Sequence, residues 1–187
     1  MSRVLIGVTG GVAAYKTADL VREIVRGGDE AQVVMTPGAT RFVTPLLFSA
    51  LSGRPALVEL FDDERAHHID HVELGRWADV VVIAPATLDF IGRWARGLAA
   101  DLLTTTIFAL PAQTPILVSP SMNTKMWEHP LFRDNLQRLI DLNERGYRIQ
   151  VLDPVAKLLA CGDEGDGAYP PVERLYESIR EMLPSEP

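Results

Sequence analysis

Short, nearly continuous runs of aliphatic residues recur along the chain, separated by turn-forming residues and by amphipathic segments. These runs predict β-strands at residues 4–8, 31–35, 80–84, 115–119 and 148–152. Most of them lack the regular alternation of apolar and polar positions that a half-exposed strand shows. The pattern is typical of parallel strands that are covered on both faces.

Amphipathic segments lie between the predicted strands. The first, at residues 14–25, has alanines and valines near helical spacing and ends at a glycine pair. Further helices are predicted at residues 90–96, 101–110, 130–145 and 175–183. Because strands and helices alternate, we expect an α/β fold: a three-layer, Rossmann-like (flavodoxin-like), doubly wound parallel sheet. No repeat or linker interrupts residues 1–187, which predicts a single domain.

Composition and charge narrow the kinds of partner that the chain could have. Of its 187 residues, 47% are hydrophobic and 23% are charged, which is ordinary for a globular protein. The formal net charge of −7 argues against binding to nucleic acid, which needs a basic surface. The one cysteine, Cys161, excludes an intramolecular disulfide and favours a reducing, intracellular setting. The first apolar run is too short for a signal sequence or a membrane span, so we expect a cytoplasmic protein with no membrane partner.

The segments that follow four of the predicted strands carry hydroxyl groups, glycines and prolines. In doubly wound sheets ligands bind outside the carboxyl ends of the strands, so these segments should share one edge of the sheet. They are Thr9-Gly10-Gly11, Thr36-Pro37-Gly38, Pro85-Ala86-Thr87 and Pro120-Ser121-Met122-Asn123. That edge is the predicted ligand site.

The glycines after the first strand indicate a phosphate site. Gly10 and Gly11 allow the backbone to turn tightly and to approach a phosphate at the N-terminus of the next helix. Their spacing does not match the G-x-G-x-x-G pattern of dinucleotide sites, and Lys16 does not follow a Walker arrangement. A mononucleotide phosphate held by backbone amides and threonine hydroxyls fits better. A glycine turn that binds no ligand stays open as the alternative.

A cluster of histidines precedes the third predicted strand. His67, His68 and His71 lie beside Asp70 and Glu73, a composition that could indicate a metal site. This arrangement does not match an established zinc-site spacing and the one cysteine adds little, so no metal is predicted. A general base is the more economical role for one histidine, because imidazole titrates at about pH 7. A surface or packing role stays open.

The segment at residues 157–169 is rich in glycine and contains Cys161. Glycine favours neither helix nor strand, so the segment is predicted to be a mobile loop or lid. A plain surface connection is the alternative. Cys161 is either a small buried apolar residue, as isolated cysteines often are, or a reactive thiol that the loop exposes.

Five short stretches form an ordered set of motifs. They are TGGVAAYK at residues 9–16, HVELGRWAD at 71–79, PAT at 85–87, PSMNTKMW at 120–127 and ACGDEGDG at 160–167. Each alone is a weak signal, but the ordered set resembles the homo-oligomeric flavin-containing cysteine decarboxylases over residues 3 to 170. Within that family, the stretch around Cys161 is similar to the phosphopantothenoylcysteine decarboxylases of coenzyme A biosynthesis.

The resemblance implies FMN as cofactor and a small-molecule substrate, phosphopantothenoylcysteine, that is converted to phosphopantetheine. The acylated amino group of that substrate cannot form the Schiff base that a pyridoxal enzyme uses. Oxidation of the thiol-bearing carbon by the flavin instead gives a thioaldehyde, from which carbon dioxide is lost before the hydride returns. Bacterial members of the family are often fused to a ligase domain, and because this sequence ends soon after residues 157–169 we expect a free-standing form. The resemblance also implies a homotrimer or a dodecamer of trimers with the flavin near a subunit boundary.

Roles for individual residues follow from their places in the motifs. His71 is expected to act as a base, Asn123 to hydrogen-bond the substrate carboxylate, and Cys161 to donate the final proton. Met122 and Ala160 would help to bind the substrate, with residues 157–169 as a substrate flap. FMN is expected to be held by Thr9, Gly10, Gly11, Val12, Thr36, Pro85, Ala86 and Thr87.

Three positions depart from the family pattern. Ser121 stands for an alanine beside Asn123, Ala100 stands for an asparagine, and Ala168 stands for an arginine in the flap. Loss of that arginine puts in question how the flap closes on a phosphorylated substrate.

Three other functions compete with this interpretation. A peptidyl-cysteine decarboxylase of the lantibiotic type is disfavoured by Cys161, which that reaction does not need. A non-catalytic FMN-binding regulatory protein would carry long acidic extensions. A prenyl-FMN synthase of similar fold would lack the paired PSMN and ACGD stretches.

Overall fold

The computed structural model describes residues 1–61, 70–158 and 164–183, with the backbone alone described at residues 157, 158, 164 and 166. Its main sheet has five parallel strands in the order β2-β1-β3-β4-β5. The strands are β1 Arg3–Val8, β2 Glu30–Met35, β3 Val80–Ala86, β4 Pro115–Pro120 and β5 Arg148–Val151. All five predicted strands are confirmed. After β2 the chain crosses back over β1 to β3, and this reversal opens a crevice at the carboxyl ends of β1 and β3.

Helices connect the strands and cover both faces of the sheet. They are α1 Thr17–Arg26, α2 Pro45–Ser52, α3 Asp70–Trp77, α4 Leu88–Ala95, α5 Leu102–Phe108, α6 Thr124–Trp127, α7 Pro130–Ile140 and α8 Val172–Met182. Short 3-10 turns at Val12–Lys16 and Asp141–Arg145 precede α1 and follow α7. No helix in the described ranges is long and apolar enough to cross a membrane.

Alternate residues of each strand face opposite layers of helices. In β1, Val4, Ile6 and Val8 belong to a core shared with α1, α2 and α8. Leu5 belongs to a second core, shared with α3, α4, α5 and α7. Because both faces of the sheet are buried, its strands need apolar residues on both sides, which explains the continuous aliphatic runs. The predicted three-layer, doubly wound fold is confirmed.

Helix α2 is missing from the sequence-based prediction because its apolar residues do not share one face. Phe48 is fully buried, whereas Leu46 is 76% exposed. Local signals define the helix instead: Thr44 caps its N-terminus by accepting a hydrogen bond from the Leu47 amide, and Gly53 ends it with a φ of 71°. Helices α3 and α6 are likewise missing from the prediction.

The segment at residues 157–169 differs from its prediction as a loop. Strand β6 (Val155–Leu158) pairs antiparallel with β7 (Glu164–Ala168), and Tyr169 after it is buried. The loop prediction is wrong for residues 157–158 and 164–168, because the pairing of β6 with β7 and packing on the segment after β4 override the low strand propensity of glycine. Residues 159–163, which include Ala160 and Cys161, lie outside the described residues.

Candidate functional site

A cavity of about 970 Å³ lies at the carboxyl ends of β1, β2, β3 and β4. We call it the rim cavity. It is the place where all four predicted strand-end segments meet, so the predicted ligand edge is confirmed as a cavity. Its walls are formed by Thr9–Ala13, Tyr15, Lys16, Thr36–Gly38, Thr87–Asp89, Arg93, Ala100, Asp101, Ser121–Asn123, Met126 and Gly167–Tyr169.

Most residues that the motifs assign to FMN line this cavity. Six of the eight do so: Thr9, Gly10, Gly11, Val12, Thr36 and Thr87. Pro85 and Ala86 do not line it. They form the end of β3, where Ala86 is fully buried in the core shared with α4 and α5.

Backbone meets backbone between the first two strand-end segments. A Cβ added at Gly10 would lie 2.9 Å from the carbonyl carbon of Gly38, a distance that real side chains do not adopt. Glycine at position 10 therefore allows the loops after β1 and β2 to touch. A ligand at this wall meets main chain with little side-chain cover, which suits a phosphate group.

The hydroxyl of Thr9 is used inside the protein. It donates to the Pro85 carbonyl at 2.6 Å and accepts from the Thr87 amide at 3.0 Å. The residue is 1% exposed. Thr9 therefore ties the loop after β1 to the loop after β3, across the crevice.

Thr36 and Thr87 present their hydroxyls differently. Thr87 accepts the Phe90 amide at 3.4 Å as the N-cap of α4, which leaves its hydroxyl hydrogen to donate elsewhere. The Thr36 side chain makes no hydrogen bond to the described part of the chain, although the residue is almost completely buried in the cavity wall. A hydroxyl in a cavity wall that makes no hydrogen bond to the described residues is suited to a ligand oxygen.

An ion-pair cluster forms another part of the wall. Arg93 donates to Asp101 at 2.6 Å and to the exposed Asp89 at 2.9 Å. Burial lowers the pKa of Arg93, but its hydrogen bonds and charge interactions with Asp101 and Asp89 outweigh that effect and raise its pKa above the usual value. Asp101 also caps α5 by accepting from the amide and hydroxyl of Thr104, both at 2.8 Å. The cluster orders the segment that carries Ala100.

Tyr169 closes the cavity beside β3. Thr17 Oγ1 donates to the Ala84 carbonyl at 2.7 Å and lies 3.3 Å from Tyr169 Oη, so the tyrosine hydroxyl donates to Thr17. Burial raises the pKa of Tyr169. It is a neutral donor at physiological pH.

Asn123 and Met122 line the cavity from the segment after β4, as predicted. Asn123 is the N-cap of α6, and its Oδ1 accepts the Lys125 amide at 2.9 Å. This bond uses the carbonyl end of the side chain, and the other end carries the amide N–H groups. They are donors of the kind that a carboxylate needs.

His71 does not line the rim cavity of its own chain. It lies in the first turn of α3, whose Gly75 approaches the Ala109 carbonyl so closely that an added Cβ would be 2.9 Å away. The structure therefore brings the FMN residues and Asn123 together without His71. His67 and His68, like Ala160 and Cys161, lie outside the described residues.

Several cavity residues were not singled out from the sequence. Asp101 has a detectable signal, an aspartate followed three residues later by threonine at the start of a helix. Arg93 and Tyr169 have none, since their places in the cavity depend on how α4 and the hairpin pack. Among the described residues, no group of three or more metal-ligating side chains is close enough to hold an ion.

The strand order and the cavity at its reversal define a flavodoxin-like α/β protein with a ligand site at the switch point. The flavoprotein family model matches residues 1–184, and the chain belongs to that family. This confirms the family that the five motifs predict.

Named relatives agree with the family. The coenzyme A biosynthesis bifunctional protein CoaBC of Vibrio cholerae serotype O1 is 46% identical over 165 residues, which are 88% of this chain and 40% of that protein. The chain thus spans about two fifths of the length of the curated relatives it matches.

Solved structures share the fold over almost the whole chain. A PPC decarboxylase with a cysteine-to-serine change, complexed with pantothenoylaminoethenethiol, gives a TM-score of 0.82 at 32% identity, covering 96% of this chain and 97% of that one. The FMN-dependent cysteine decarboxylase SpaF gives 0.75 at 30% identity, covering 97% of each chain.

Proposed function

We propose that this chain is an FMN-dependent carboxy-lyase that converts phosphopantothenoylcysteine to phosphopantetheine in coenzyme A biosynthesis. The observation that carries the proposal is the convergence of Gly10, Thr36, Thr87 and Asn123 on one cavity. The first three suit a phosphorylated flavin, and Asn123 offers an amide to a carboxylate. The names of the relatives, which include PPC decarboxylase and an FMN-dependent cysteine decarboxylase, support both parts.

The rim cavity has the size and the groups to hold FMN beside a substrate. Ligand sites commonly enclose about 300–1,000 Å³, and this cavity of about 970 Å³ lies at the upper end. The Thr36 hydroxyl and the bare backbone around Gly10 would hold the phosphate, and Thr87 would contact the rest of the flavin. Bound FMN would supply the oxidation and re-reduction of the thiol-bearing carbon on which loss of carbon dioxide depends.

Asn123 binds and orients the substrate carboxylate in this proposal. The Lys125 amide donates to its carbonyl end, and the substrate carboxylate would accept from the amide N–H groups at the other end. Met122 and Ala160 contact the substrate, and Cys161 delivers the proton that completes the final reduction. Residues 157–169 act as the substrate flap.

His71 acts as the base and serves the cavity of another copy of the chain. A homotrimer, or a dodecamer of trimers, is the assembly through which it reaches that cavity, since it does not line its own. We further propose that the partner of the chain is a small-molecule substrate and that the chain acts in the cytoplasm.

A peptidyl-cysteine decarboxylase is the second candidate, because SpaF shares the fold and 30% of its residues with this chain. That reaction ends at an enethiol, whereas the proposed one needs a further reduction and proton. A non-catalytic FMN-binding protein would release no carbon dioxide from either substrate.

Carbon dioxide release by the purified, FMN-loaded chain tests the proposal. Phosphopantothenoylcysteine should give carbon dioxide and phosphopantetheine, and a peptide with a C-terminal cysteine should give neither. Release only from the peptide would establish the second candidate, and release from neither would refute both. Mixing His71→Asn and Asn123→Asp chains tests the assembly: turnover returns in mixed oligomers only if His71 serves another copy.

A further inference from the structure

The hairpin of β6 and β7 contains an irregularity beside the rim cavity. Val155 pairs with Ala168, but the next residue, Ala156, pairs with Asp166. Gly167 is therefore an extra residue in β7, opposite no partner in β6, which makes it a β-bulge. Its φ of 136° lies in the left-handed half of conformational space that favours glycine.

The bulge frees the Gly167 carbonyl from the hairpin ladder and directs it to the segment after β4. The Met122 amide donates to it at 3.0 Å, and Ser121 Oγ donates to it at 3.3 Å. One carbonyl oxygen thus holds the two residues that immediately precede Asn123. Bulges next to binding sites commonly redirect a group in this way.

Close packing adds to these hydrogen bonds. A Cβ added at Gly167 would overlap the Met122 carbonyl oxygen and lie 3.5 Å from the carbonyl carbon of Asn123. Two residues before Gly167, a Cβ added at Gly165 would lie 2.6 Å from Thr124 Oγ1. Strand β7 therefore rests on the start of α6 through two glycines, and at Gly167 the opposing atoms are backbone, which cannot move aside cheaply.

We propose that Gly167 is a positioning residue: its bulge sets the backbone of residues 121–123 and so holds Asn123 in the wall of the rim cavity. The role in turnover rests on the proposed function, because it assumes that Asn123 holds the substrate carboxylate. The hydrogen bond from the Met122 amide to the Gly167 carbonyl does not depend on the proposed function, and it can be measured without any reaction.

The test compares Gly167→Ala with Gly97→Ala in the full chain loaded with FMN. Gly97 is a matched control, since it too has a positive φ, of 75°, but an added Cβ would meet nothing within 4 Å. In Gly167→Ala, hydrogen exchange of the Met122 amide should accelerate and kcat/KM should fall, each by about tenfold, the size of one lost hydrogen bond. FMN affinity should stay within about twofold, and Gly97→Ala should change neither exchange nor kcat/KM.

A milder variant covers the case in which Gly167→Ala does not fold. Gly165→Ala presses on the Thr124 side chain instead of on backbone, so it should loosen the same contact, and Thr124→Ala in the same chain should restore it. The proposal is overturned if the folded Gly167→Ala chain, or Gly165→Ala in its place, keeps the wild-type exchange rate at the Met122 amide. It is also overturned if Gly97→Ala accelerates that exchange and lowers kcat/KM as much as Gly167→Ala does. Wild-type chain that releases no carbon dioxide would instead refute the proposed function, and the exchange result would still decide the role of Gly167.

Discussion

The two sides of the rim cavity are built in different ways. On one side, Thr9, Thr36 and Thr87 follow directly from the ends of three neighbouring parallel strands. On the other side, Met122 and Asn123 follow β4 but are held by Gly167, which belongs to a hairpin late in the chain. The first side is a consequence of the sheet itself. The second depends on a contact between segments that are distant in sequence.

This difference separates two kinds of failure. In the proposed function the strand-end residues bind the flavin, so a change there should alter how tightly the flavin binds. The residues of the hairpin side would bind or position the substrate, so a change there should leave the flavin bound and alter turnover. The variants that follow test that separation.

Asn123→Asp should give the largest effect. Aspartate is as good an N-cap as asparagine, so the cap on α6 survives while the amide donors are replaced by a charge that repels the substrate carboxylate. Loss of one such donor alone costs about 100- to 1,000-fold in turnover, and we expect at least that. Flavin fluorescence titration should show unchanged FMN affinity. A variant that turns over normally would remove Asn123 from the substrate site.

Thr36→Val should weaken FMN selectively. The change keeps the shape of the side chain and removes a hydroxyl that has no protein partner in the described residues. A hydrogen bond to a charged phosphate contributes about 1.5–3 kcal/mol, so FMN affinity should fall by about 10- to 150-fold. Riboflavin, which lacks the phosphate, should bind as it does to the wild-type chain. An equal loss for both ligands would place the phosphate away from Thr36.

The strand-end side of the cavity was predictable from the sequence for a physical reason. Continuous aliphatic runs specify parallel strands, and parallel strands must end at one edge of their sheet, so Thr9, Thr36 and Thr87 had to lie near one another. What the sequence did not indicate is which of these hydroxyls is already used. The Thr9 hydroxyl donates to the Pro85 carbonyl and accepts from the Thr87 amide, and these bonds depend on the tertiary structure.

The hairpin side was not predictable in the same way. Residues 164–168 have low strand propensity, and their pairing with β6 and contact with Met122 are tertiary effects. Helix α2 was missed for a local reason. Its exposed Leu46 interrupts the amphipathic pattern of the sequence, although the helix itself is continuous. The role of His71 was inferred from its motif. The local sequence gives no sign that His71 would lie outside the rim cavity of its own chain.

Thr9→Val should weaken FMN and riboflavin together. It leaves the buried Pro85 carbonyl and the Thr87 amide without their partner, so the loops after β1 and β3 lose their tie. We expect the free energy of unfolding to fall by about 1–3 kcal/mol, as for buried groups left unpaired. Thr9→Ser keeps the hydroxyl and should restore most of the loss. A selective loss of FMN over riboflavin would mean that Thr9 contacts the phosphate directly.

Tyr169→Phe should give the smallest effect, and one that depends on pH. Burial raises the pKa of Tyr169, so the unfolded chain releases this proton first, at about pH 10. Above that pH the unfolded chain binds fewer protons than the folded one, and stability falls as the pH rises. At pH 7 the variant should lose about 0.5–1.5 kcal/mol with its hydrogen bond to Thr17. Between pH 10 and 11 the difference in melting temperature between the variant and the wild-type chain should narrow, and a difference that stays constant over this range would contradict the prediction.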